Sequence, residues 1–322
     1  MKAIICREYG PISALEYGEM ESPKPGPKEI VVRAEAIGVN YPDGLLVQGL
    51  YQSKPPVPFV PGMEVVGEVI ATGSEVTKFK KGDRIGSVSM LGAYAEEVKV
   101  HQNSAMPVPS GIDGGAVTAL MCGYGTSHHA LKQRANLQPG ETLVVTGAAG
   151  LTGLAAVQIG KVMGAKVFAV ASSEEKRQLA LENGADVALG YEDLKDKLKE
   201  ATGGKGADVV FDVVGGDVFD AFSRAMAWKG RLLVIGFASG RIPQFPVNLA
   251  LVKGYSVVGV FWGSFTAQEP QVYAANMAEL MGWYMDGKVK PHVEAVYPLA
   301  KAGEALAFIH DRKATGKVVL KP

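Results

Sequence analysis

Residues 146–153 read TGAAGLTG, directly after the apolar run Leu143, Val144 and Val145. Within them, Ala148-x-Gly150-x-x-Gly153 has the spacing of a dinucleotide-binding turn, with alanine in place of the first glycine. A strand precedes the turn, the helix-forming LTGLAAVQIGKVMG follows it, and a second strand, KVFAVA, completes a βαβ unit within about 30 residues. Small residues at Ala148, Gly150 and Gly153 let the backbone approach a pyrophosphate. The backbone N–H groups that begin the helix, those of Leu151 and Thr152 among them, would stabilise its charge together with the helix dipole. A tight turn with no ligand is the competing reading, and the βαβ context argues against it.

Further along, strands and helices alternate: EEKRQLALENG, DVAL, YEDLKDKLKEATGG, DVVFDVV, a helix after Gly216, RLLVIGF and YSVVGVF. Parallel neighbours need a crossover connection, so this order predicts a doubly wound parallel sheet of about six strands. At the end of the second strand, where an NAD site places a carboxylate on the ribose, stand Ala171, Ser172 and Ser173. No acid there repels a 2′-phosphate, and Lys176 and Arg177 lie one turn on, which favours NADP(H). Ser172-x-x-Glu175 also reads as a capping box, and Lys176 and Arg177 equally decorate an exposed helix.

Before residue 110 the texture differs, with β-rich EIVVRAEAIGV and EVVGEVIA punctuated by PKPGPK and KPPVPFVPG. After Gly263 come two helical segments and a closing strand, KVVL, that returns to this first region. The expected domains are therefore 1–122 with 264–322, and 123–263. Lys plus Arg equals Asp plus Glu at 33 each, so no net field attracts nucleic acid or an anionic membrane. No apolar run of about 18 residues is present, and two cysteines suit a reducing compartment, so a cytoplasmic protein with a small-molecule partner is expected.

The stretches GVNYPDGLLVQGLY, PGMEVVGEV, KKGDRIG, TGAAGLTGLAAVQIGK, DVVGG and TGKVVL together resemble the zinc-independent quinone oxidoreductases of the medium-chain dehydrogenase/reductase superfamily. The resemblance covers essentially the whole chain. It implies a GroES-like β-rich domain, a Rossmann domain with NADPH in a cleft, and a homodimer joined through the Rossmann sheet edge, here YSVVGVF. An unpaired apolar edge strand independently favours such a dimer.

Carried over position by position, the resemblance places Asn40 and Asp43 at the site, with Asn40 near the nicotinamide and its ribose. Tyr51 becomes the donor to the oxygen or carbon that is reduced, unless it is a packed loop aromatic. Thr126 corresponds to a nicotinamide-ribose contact and Tyr191 to an adenine-ribose contact. Gly236, Phe237, Ala238, Phe261, Trp262 and Gly263 supply the nicotinamide surroundings. Lys317 either approaches the cofactor or lies on the surface. Leu45, His128 and Leu151 depart from the family pattern.

Zinc-dependent relatives carry a Cys, a His-Glu pair and a later Cys or Asp. Here Asn40, Met63-Glu64 and Cys122 fall near those places, and His128 and His129 diverge by about 100° on a helix, so no metal is expected. The reading is hydride transfer from NADPH to a small quinone. The alternative is a reductase of enones such as enoyl or acryloyl thioesters; a crystallin-like or RNA-binding protein is a third, opposed by the neutral charge.

Overall fold

The computed structural model describes all 322 residues as two compact units, Met1–Cys122 with Pro291–Pro322, and Gly123–Lys290. Residues 264–290, expected with the first domain, therefore lie in the second unit. Side-chain pairing gives the reason. The helix Pro270–Met285 docks on the segment around His128, where His128 Nε2 lies 2.7 Å from Glu279 and Gln133 donates to Asn276 at 2.9 Å. His129 stacks on Phe265 with ring centroids 3.7 Å apart.

In the first unit the strand Glu29–Val39 is the spine. Its core-facing residues are buried while Arg33 and Glu35 are exposed. One side pairs with Glu64–Thr72 along nearly its whole length. The other side changes partner, pairing early with Glu97–His101 and late with Lys317–Lys321. The closing strand thus returns to the first unit, as the sequence predicted. Ile30, Val32, Ile37, Val65, Val69, Ile85, Val98 and Val318 form the core, closed by Leu299, Ala302 and Leu306. Each such large aliphatic contributes about 1.5–3 kcal/mol through burial.

Register brings three distant segments to one point. Gly38 sits opposite Glu64 and Val39 opposite Val318, so Asn40, Glu64 and Lys317 fall at the same end of three adjacent strands.

The second unit holds a six-stranded parallel sheet in the order Val187–Leu189, Lys166–Val170, Thr142–Thr146, Ala207–Asp212, Met226–Val234, Ser256–Gly259. From Thr142–Thr146 the chain first winds outward to one edge, then crosses to the other side, so the order reverses beside that strand. Such a switch point opens a crevice at the carboxyl ends of the strands. Ser256–Gly259 is one edge strand and Val187–Leu189 the other.

Two glycines test this packing in opposite directions. At Gly67 a Cβ would run into the Arg33 carbonyl and come within 2.9 Å of Val32, whereas at Gly282, within Pro270–Met285, it would meet nothing within 4 Å. Gly67→Ala is expected to cost about 2–3 kcal/mol and Gly282→Ala to stabilise by about 0.5–1 kcal/mol, both read from urea-unfolding midpoints.

Candidate functional site

The turn after Thr142–Thr146 has the features of a phosphate cradle. Gly147 adopts φ +57°, a left-handed conformation that side chains disfavour. The helix Leu151–Val162 begins at Gly150, which offers no side-chain cap, so the first-turn N–H groups of Leu151, Thr152 and Gly153 lack a capping acceptor. A Cβ at Gly153 would collide with the Gly147 carbonyl and lie 2.9 Å from the Ala148 Cα, so only glycine lets helix and turn approach this closely. Ala148 is fully buried beneath. Leu151, the departure from the family pattern, packs its side chain over Gly123, while the Thr152 carbonyl accepts from Ser127 at 2.7 Å.

At the end of the next strand the structure gathers Tyr191 and Arg177. Gly147 N–H donates to the Tyr191 hydroxyl at 3.1 Å, which itself lies 3.5 Å from the Val170 carbonyl. Arg177 donates to Glu174 at 2.6 Å and reaches the Ala171 carbonyl at 3.4 Å. The helix cap expected at Ser172 is one residue later: Ser173 accepts from Lys176 N–H at 3.2 Å. Ser172 is thereby left exposed with its hydroxyl outside the cap.

On the other side of the switch point, Asp212 organises a second turn. Its buried carboxylate accepts from Thr146 Oγ1 at 2.8 Å, Val214 N–H at 2.9 Å and Gly215 N–H at 3.1 Å. Burial pushes this carboxyl up and these hydrogen bonds pull it down, burial prevailing. Gly215 and Gly216 both have positive φ, and the turn they make holds the loop carrying Gly236, Phe237 and Ala238: Ala238 N–H donates to the Val213 carbonyl at 3.0 Å. Trp262 is buried against Gly125, beside Thr126, while Phe261 and Gly263 are exposed.

The first unit contributes a buried polar junction. Asn40 N–H donates to Asp43 Oδ2 at 2.8 Å and so starts the helix Tyr41–Val47 as a capping box. Tyr94 donates to the same oxygen at 2.8 Å. Asn40 Nδ2 donates to Glu64 Oε1 at 2.8 Å, and Lys317 Nζ donates to Asn40 Oδ1 at 3.0 Å and ion-pairs with Glu64. Lys317 is fully buried, which corrects the surface reading, and its ammonium is held by this junction. Asp43 Oδ1 and Glu64 Oε2 have no partner.

Burial is the main force pushing the Asp43 carboxyl up to about 7; hydrogen bonds from Asn40 and Tyr94 and the charge of Lys317 oppose it, and Glu64 adds to it. Tyr51 packs on Cys6, Leu46, Val47 and Phe59, and burial, with Cys122 and Asp43 adding, raises its phenol above the ordinary range. Tyr94 and Asp212 were not singled out from the sequence, and Glu64 only as a zinc-position residue. EVVGEVIA holds two acids, Glu64 and Glu68, and only the first is buried, which the sequence does not distinguish.

A GroES-like β unit with a doubly wound parallel-sheet unit is the architecture of the medium-chain dehydrogenases and reductases. Residues 26–126 match the "Alcohol dehydrogenase GroES-like domain" family and 152–281 the "Zinc-binding dehydrogenase" family. The chain is 41% identical to "Quinone oxidoreductase-like protein 2 homolog" of Nematostella vectensis, covering 99% of this chain and 88% of that one. It is 35% identical to a quinone oxidoreductase of Pseudomonas aeruginosa, covering 100% and 99%. The quinone oxidoreductase of Escherichia coli, solved with NADPH, superposes with a TM-score of 0.93 at 29% identity over the full length of both chains. The chain belongs to the quinone oxidoreductase family of the medium-chain dehydrogenase/reductase superfamily. No helix is long and apolar enough to cross a membrane.

One of those family names mentions zinc, and the residues here do not fit it. Nowhere do three His, Cys, Asp or Glu side chains gather as ligands. Glu64, the one acid at a zinc-relative position, already faces the Lys317 ammonium and the Asn40 amide.

Asp43 gives the junction a pH signature. Its folded value of about 7 lies above the ordinary 3.8, so its contribution to stability is full below about pH 4 and is lost as pH rises through about 7. Relative to Asp43→Asn, the wild-type unfolding free energy is expected to fall by on the order of 4 kcal/mol across that window. The buried histidines contribute alike to both proteins, so parallel urea-unfolding profiles between pH 4 and 7 would remove the assignment.

Proposed function

We propose that this protein is an NADPH-dependent, metal-independent reductase of small soluble quinones. The observation that carries the reading is the uncapped glycine turn at the switch point, in a chain whose full length superposes on a quinone oxidoreductase solved with NADPH. The first-turn N–H groups of Leu151, Thr152 and Gly153, above Ala148 and Gly150, would hold the pyrophosphate. Tyr191, Ser172, Lys176 and Arg177 would hold the adenine ribose and its 2′-phosphate, Arg177 exchanging part of its bond to Glu174 for the more charged partner. Thr126, Gly236, Phe237, Ala238, Phe261, Trp262 and Gly263 would surround the nicotinamide.

The chemistry NADPH supplies when bound is donation of a hydride to a conjugated acceptor. The chain's own part is to position the acceptor and to meet the charge that develops on its oxygen. Tyr51 suits that second task. Burial holds its phenol protonated through neutral pH, so it stays a hydrogen-bond donor without tuning. Asn40 and Asp43 fix the helix that leads to it, and Asp43, with a carboxyl near 7, would share in proton supply.

The apolar face around the edge strand Ser256–Gly259 supports a homodimer. Helix Asn248–Lys253 buries none of its residues, Leu251 is 82% exposed and Trp228, against Gly254, is 69% exposed. A second copy pairing its own edge strand there would cover them.

The decisive assay follows NADPH oxidation in a chelator-containing buffer with a small benzoquinone and, in parallel, a crotonyl thioester, each repeated with NADH. The quinone with NADPH is expected to turn over fastest, and Tyr51→Phe to lower kcat by about tenfold or more. Faster reduction of the thioester would make this an enoyl reductase instead. In size-exclusion chromatography the wild type is expected at dimer mass, and Leu251→Asp with Val257→Asp at monomer mass.

A further inference from the structure

Glu64 and Lys317 form an ion pair in which neither side chain has exposed surface. Such a pair is a poor source of stability, because desolvating both charges offsets their attraction and apolar side chains of similar volume hold a core as well. Its hydrogen bonds indicate another role. Lys317 Nζ donates to Asn40 Oδ1 at 3.0 Å and to the Val39 carbonyl at 3.4 Å, while Glu64 Oε1 accepts from Asn40 Nδ2 at 2.8 Å.

The Asn40 amide therefore has its oxygen facing a group that can only donate and its nitrogen facing a group that can only accept. Turning the amide over would set NH2 against ammonium and carbonyl against carboxylate, two repulsive contacts in a site buried from solvent, where charges are weakly screened. The backbone of the same residue begins the helix that carries Asp43. A pair of hydroxyls, each able to donate or to accept, would tolerate either orientation.

We propose that Lys317 and Glu64 are positioning residues whose opposed charges lock the Asn40 side-chain amide in one orientation for the reaction. This rests on the reading of Asn40 as a residue of the NADPH and acceptor site. The pair acts chiefly through Asn40, its two charges opposing each other at Asp43, and its removal leaves the fold intact.

The test is a cycle of three proteins besides the wild type: Lys317→Met with Glu64→Leu, Asn40→Ala, and all three substitutions together. The apolar pair is expected to fold, with a melting temperature a few degrees below wild type because the buried Asn40 amide loses both partners, to lower kcat by about tenfold or more, and to change the KM for NADPH by less than about threefold. In the Asn40→Ala background the same pair substitution is expected to change kcat by less than about twofold. A pair variant that keeps kcat within about threefold of wild type, that fails to fold, or whose loss multiplies with that of Asn40→Ala would overturn the proposal.

Failure of the quinone reading is seen separately, in the wild type alone, and the cycle is then run with whichever acceptor the wild type reduces. A readout independent of turnover is the NMR signal of the Asn40 side-chain NH2. It is expected as one sharp, exchange-protected pair in the wild type and broadened or averaged in the apolar pair; identical signals would overturn the locking role.

Discussion

Lys317, Glu64 and Asn40 meet where three strands end, and each is accommodated by something its neighbours lack. Gly38 stands opposite Glu64, and a Cβ there would collide with the carboxylate. Gly62, at φ +95°, would collide through a Cβ with the Tyr94 ring, whose hydroxyl supports Asp43. The motifs GVN and PGME are thus one device: glycines clear the space, and polar side chains fill it. Because the charges are fully buried, moving any member leaves another unsatisfied at a cost of several kcal/mol. The helix Tyr41–Val47 and the residues after it inherit their placement from that constraint.

The second unit uses the same economy of side chains at its switch point. Gly147 and Gly153 bring helix and strand end together, and Asp212 ties the neighbouring turn to Thr146. Gly215 and Gly216 then carry the loop of Gly236 to Ala238. Donors at one turn are left open while donors at the other are satisfied by a carboxylate. That difference separates a turn with open donors from one that is satisfied within itself.

Electrostatics within the first unit follow from burial more than from charge count. The chain carries no net charge, yet one carboxyl is pushed up to about 7 and two tyrosine phenols are raised, because water is excluded around them. Of these groups only the Asp43 carboxyl is brought near neutrality; the two raised phenols stay protonated there and remain hydrogen-bond donors.

Local pattern was enough to determine the alternation of strand and helix, the number of strands in the parallel sheet, the glycine turn and the return of KVVL to the first unit, because each depends on periodicity or turn chemistry within a few residues. Other features were decided only by the tertiary structure. Residues 264–290 read as ordinary helix, and their allegiance rests on Glu279 and Phe265 meeting His128 and His129. In the sequence Ser172, with Glu175 three residues on, is the expected cap, and the exact end of the preceding strand chose Ser173 instead. Tyr94 looked like one more core aromatic. Lys317 lies 253 residues from Glu64, and a lysine flanked by TG and VVL reads as a solvated end. Only the register of three strands, set by the burial of their apolar faces, brings that ammonium to the one carboxylate waiting for it.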